Sequence, residues 1–120
     1  MTWAEVHDRH RLERGLLRRV EERGDVGAVE SALPDIVSTF GSFDVFLKHL
    51  EHIWILETQV RDDLAMERGS GSDPATICQL VARQEPGIRL VLEAYADHPA
   101  LRDSPVTRAL SRISPTHSRR

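Results

Sequence analysis

The sequence predicts an all-α protein: an up-and-down bundle of four main helices followed by a short C-terminal helix. Three observations carry this. Apolar residues recur at helical spacing in every long segment. No stretch alternates apolar and polar residues between turn residues as a half-buried strand does. Gly, Pro, Ser and Asp fall where each helical pattern stops.

The first helix is expected to start at Thr2, because Thr2 and Glu5 fit a capping box in which hydroxyl and carboxylate satisfy free amides reciprocally. It runs to about Arg23, with Trp3, Val6, Leu16, Leu17 and Val20 on its inner side, and Gly24 supplies a left-handed stop. Its outer face mixes arginines with Asp8, Glu21 and Glu22, the pattern of a solvated surface. Asp25 is placed to cap a second helix carrying Val26, Val29, Leu33, Ile36, Val37 and Phe40. Pro34 lies inside that pattern and predicts a kink or break near Leu33. Gly41 and Ser42 form a stop and a new cap in two residues.

Residues 43 to 66 make the longest run free of Gly and Pro and are expected to be the central helix. Phe43, Phe46, Leu47, Leu50, Ile53, Trp54, Val60 and Leu64 fall on one broad stripe. Residues 67 to 73, ERGSGSD, read as a loop. Asp73 or Ser72 with Pro74 then opens a fourth helix lined by Ile77, Cys78, Val81, Ile88, Leu92 and Tyr95. Pro86 and Gly87 interrupt it, so it is either one kinked helix or two helices joined by a turn. Ser104 and Pro105 begin the last helix, which carries Val106, Leu110 and Ile113. A single domain over residues 1–113 and a disordered tail over 114–120 complete the expected organisation.

Composition bounds the function. With 40% hydrophobic and 29% charged residues the chain has the make-up of a soluble globular domain, and a net charge of −3 offers no basic field for phosphate backbones. No apolar run approaches the roughly 20 residues that span a bilayer, which argues against a membrane role. The single cysteine, Cys78, rules out an internal disulfide and fits a reducing, cytoplasmic setting. Of the 16 basic residues only Lys48 is lysine, a bias that points to a bacterial genome rich in G and C.

Chemistry is sought where polar residues break apolar stripes. His10 and Glu13 lie on or beside the inner stripe of the first helix, His49 and Glu57 on that of the central helix, and Glu85 between Val81 and Ile88. Imidazoles and carboxylates on facing helices are how iron, zinc or manganese sites are built in bundles. The competing reading pairs Glu57 with Arg61, Glu85 with Arg89 and Glu13 with Arg9, which needs no metal. Residues 10 to 62, with HRLERGLL and later FLKHLEHIWILETQVRD, loosely resemble hemerythrin-like bundles. That family follows the histidine of its second ligand-bearing helix with a glutamate four residues on. Here His49 is followed by Ile53 and His52 by Leu56, so no ligand set is carried over. Residues Thr76 to Tyr95 outline a helix-turn-helix in which Arg89 is the one basic reader, a poor match to a DNA-binding element. No nucleophile elbow or phosphate loop is present.

Elimination therefore leaves a regulatory or accessory protein that works by protein–protein contact, with itself or with another protein, rather than by catalysis. Ile53, Trp54, Ile55 and Leu56 are four consecutive apolar residues, more than one helix face can bury. Together with Val45 they form the expected interface of a homodimer. A metal-binding bundle resting on His10, Glu13, His49, Glu57 and Glu85 is the alternative, and a helix-turn-helix regulator the second.

Overall fold

The computed structural model describes residues 2–69 and 73–113; residues 70–72 of the expected loop and the expected tail 114–120 lie outside the described residues. Among the described residues there are seven helices and no strand: α1 (Trp3–Arg23), α2 (Gly27–Ser31), α3 (Leu33–Phe40), α4 (Phe43–Glu67), α5 (Pro74–Gln84), α6 (Pro86–Ala94) and α7 (Pro105–Ile113).

The helix ends obey the local chemistry. Thr2 accepts from the Glu5 amide at 3.1 Å and the Thr2 amide donates to Glu5 Oε2 at 3.0 Å, so both halves of the capping box form. Gly24 adopts φ 73°, a region that costs a side chain about 1 kcal/mol or more, and its amide closes α1 on Val20 O. Ser42 Oγ accepts from the Val45 amide at 3.2 Å and starts α4. Asp25, expected as the cap of the second helix, lies one residue before the observed N-cap Val26, and its carboxylate accepts from Gly27 N–H at 2.9 Å. Asp73 does sit at the head of α5, where its carboxylate takes the Thr76 hydroxyl rather than a backbone amide.

The expected count of four main helices becomes six because both internal prolines break their segments outright. A proline lacks the N–H that the preceding helix requires, but its fixed φ suits a first turn. Hence α2 stops at Ser31 and Pro34 falls in the first turn of α3; likewise α5 stops at Gln84 and Pro86 opens α6. Each break is a single residue. Ala32 donates to Ala28 O and accepts from Ile36 N–H; Glu85 donates to Val81 O and accepts from Arg89 N–H. Both joint residues therefore stay hydrogen-bonded to the helix on either side.

One contiguous core gathers Leu16, Leu17 and Val20 of α1, Ile36 and Phe40 of α3, Phe46, Leu47, Leu50 and Trp54 of α4, and the inner residues of α5, α6 and α7. Trp54, 1% exposed, is its largest fully buried side chain. The most enclosed element is α6, which packs against α1, α4, α5 and α7 and leaves only Ala94 exposed. Gly87 makes this possible. A Cβ there would stand 2.9 Å from Leu17 O and 3.0 Å from Glu21 Oε2, so only glycine lets α6 lie so close to α1.

Residues 43 to 67 do form a single rod, yet it is covered only along its first half. Val60 and Leu64, expected in the core, are exposed, and no residue after Trp54 in α4 is buried. The reason is length. A helix of 25 residues is about 37 Å long, whereas α5 and α6, with 11 and 9 residues, reach about 16 and 13 Å. In the second half of α4, α5 reaches only one side, at the bond between Arg61 and Gln84, and leaves the side carrying Leu56, Val60 and Leu64 bare. The same holds at the other end of the core, where Trp3 (83% exposed) and Val6 sit on the first turns of α1, beyond the residues that cover Leu16 and Val20. Leu33 and Val37 of α3 are exposed as well.

Candidate functional site

Two places hold side chains of interest: a carboxylate-lined groove where α1 passes the α5–α6 joint, and the uncovered half of α4.

In the first, Glu13 is a buried carboxylate, 6% exposed, and an isolated one would be strongly disfavoured in apolar surroundings. His49 Nε2 donates to its Oε1 at 2.5 Å, a short charge-assisted geometry. The imidazole also leans on the Phe40 ring, 5.3 Å between centroids. Since α1 and α4 are not neighbouring helices, this bond ties together two elements that otherwise meet only through the core. One level further along α1, Arg14, Leu17, Arg18 and Glu21 face Gln84 and Glu85 across an open groove of about 380 Å³. The Glu85 carboxyl is held above its ordinary pKa range, first by burial and then by the neighbouring Glu57; Arg14 opposes this, while Glu21 and Glu13 add to it.

Four of the five residues expected as metal candidates, Glu13, His49, Glu57 and Glu85, thus share one neighbourhood. His10 does not: it is exposed and makes no hydrogen bond or ion pair among the described residues. Even so, among the described residues no three His, Cys, Asp or Glu side chains come together closely enough to hold a metal ion. The simple ion pairs expected in their place are also redrawn. Glu13 takes His49 rather than Arg9, whose guanidinium lies over the Phe40 ring at 5.3 Å. Arg61 donates to Gln84 Oε1, and Arg89 Nε donates to Glu93 at 3.2 Å. Glu51, 9% exposed and bonded to Lys48 at 3.3 Å, is a buried acid that the periodicity did not single out. Its place beside Leu50 and one turn after Leu47, at the rim of the stripe, is the signal that marks it.

In the second place the surface is apolar. Of the residues expected at an interface, Val45 and Leu56 are exposed, Ile53 and Ile55 are partly buried against the chain's own core, and Trp54 is inside it. Leu56, Val60, Leu64 and Met66 are all exposed, Val60 by 57% and Met66 by 67%. Leu56, Val60 and Leu64 are four residues apart, which places them on one ridge of the helix. The segment expected to resemble a helix-turn-helix is α5, Glu85 and α6, and its second helix is the element enclosed on four sides.

Among the described residues, no helix is long and apolar enough to cross a membrane. No protein-family model matches this chain, and no curated protein or solved structure does either.

Proposed function

We propose that this is a small accessory or regulatory protein that acts by protein–protein contact, and that its contact surface is the uncovered half of α4, paired with a second copy of the chain. The observation that carries the reading is the ridge of Leu56, Val60 and Leu64 with Met66 beside it, large apolar side chains exposed along one side of the helix. Apolar surface of this kind on an ordered element marks an interaction site, because scattered exposed apolar residues do not line up along one ridge. The carboxylate groove has no comparable support: Glu13 is held by His49, Glu85 is raised by burial and by repulsion from Glu57, and among the described residues no third ligand joins a pair of them. A cytoplasmic setting fits the reduced Cys78.

Residues 53 to 67 span about 21 Å of helix, which is short against the ~800 Å² per partner of a standard stable interface, so association is concentration-dependent. Light scattering over a dilution series is expected to move from twice 13.6 kDa toward 13.6 kDa. Val60→Asp, made at an exposed position, is expected to hold the mass at 13.6 kDa throughout while leaving the helical circular dichroism unchanged. A wild-type mass of 13.6 kDa at every concentration contradicts the proposal.

A further inference from the structure

We infer that the second copy lies antiparallel on α4, about a two-fold axis passing beside Val60, so that Leu56 of each chain meets Leu64 of the other. This rests on the homodimer reading above and fixes its geometry. Three observations agree on the same centre.

The first is spacing: Leu56 and Leu64 lie four residues to either side of Val60 on the same ridge, so the ridge reads the same in both directions and is self-complementary under a two-fold, as an isologous interface requires. The second is the uncovered length. On one side the free surface of α4 begins near Ile53, which is partly buried, one turn beyond His49, where the Glu13 side chain reaches that face. On the other side it ends with the helix at Glu67. Val60 is the midpoint of that stretch, so an antiparallel partner stops just short of the His49–Glu13 bridge.

The third is charge. The last turn of α4 has no basic residue and the end of the helix carries Asp62, Asp63 and Glu67. A parallel pair would set Asp63 beside Asp63 and Glu67 beside Glu67 and align both helix dipoles. The antiparallel pair separates those acids and opposes the dipoles. It also brings Glu57 of each chain to the flank of the other's Arg61, and within the subunit Glu57 makes no ion pair among the described residues while lying next to Glu85.

Disulfide trapping tests the register. In full-length chains carrying Cys78→Ser, Leu56→Cys and Leu64→Cys are made separately; both positions are exposed, so folding is undisturbed. Under mild oxidation the mixture of the two variants is expected to form a cross-linked dimer at least tenfold faster than either variant alone. Self-cross-linking of each single variant, or a dimeric mass with no cross-link in the mixture, overturns the antiparallel register and leaves the homodimer standing. A monomeric mass at every concentration without any cross-link overturns both.

Discussion

The same chemical change, glycine to alanine, is expected to have opposite effects at two positions of this fold. Gly15 lies in the middle of α1, exposed, and a Cβ built there meets nothing within 4 Å. Alanine in a helix interior is favoured over glycine by about 1 kcal/mol, so Gly15→Ala is expected to stabilise by most of that amount. Gly87 is also helical, but it sits in the first turn of α6, where the propensity gain is smaller, and its Cβ would stand 2.9 Å from Leu17 O. Glu21 can swing away; the Leu17 carbonyl cannot, because it belongs to the backbone of α1 beside the buried Leu16 and Leu17 side chains. Overpacking of this kind costs about 1–3 kcal/mol, which exceeds the propensity gain and leaves a net loss on the order of 1 kcal/mol. The two variants should then differ by about 2 kcal/mol, several degrees in Tm for a domain of this size. Urea unfolding followed by circular dichroism at one protein concentration measures this. A Gly87→Ala chain at least as stable as the wild type would show that α1 and α6 do not approach as described.

Two further outcomes follow from the titratable groups Glu85 and Cys78. The Glu85 pKa stands above its unfolded value, chiefly through burial and Glu57, so the protonated form favours folding: its contribution is present at acid pH and is lost as pH rises through the raised value. Glu85→Gln is expected to raise the urea midpoint at neutral pH and to flatten the pH dependence just above the usual carboxylate range; an unchanged profile counts against the carboxylate cluster. Burial also pushes the Cys78 thiol up, with Arg89 opposing, so native protein is expected to react with a thiol reagent at least ~100-fold more slowly than urea-unfolded chain. Immediate stoichiometric labelling of native protein would refute that placement.

What the sequence made legible was local. The caps at Thr2 and Ser42, the glycine stops at 24 and 41 and the proline starts at 74 and 105 depend on a few adjacent residues, and the structure places helix ends at all of them; at Pro86 the sequence left a kink and a break open, and the structure shows the break. Burial along a long helix is not local. Periodicity puts Val60 and Leu64 on the stripe of Ile53 and Trp3 and Val6 on that of Leu17, but whether a stripe residue is covered depends on how far the neighbouring helices reach. For the same reason the expected surface at Ile53 to Ile55 packs largely against the chain's own core, while the exposed ridge runs from Leu56 onward. The nearness of Glu13 and His49 could be guessed from two polar interruptions on core-facing stripes, but that they bond to each other rather than to arginines one turn away required the tertiary arrangement that brings these two side chains together from helices not otherwise in contact.

The one-residue joints at Ala32 and Glu85 fix helical phase as well as direction. Each extra residue in such a connection would rotate the following helix by roughly 100°, turning Ile88, Val91 and Leu92, or Ile36 and Phe40, off the centre of the molecule. These two positions are therefore closed to insertion, by a rule of geometry rather than of side-chain chemistry. Natural or engineered lengthening of this chain has to be accommodated elsewhere.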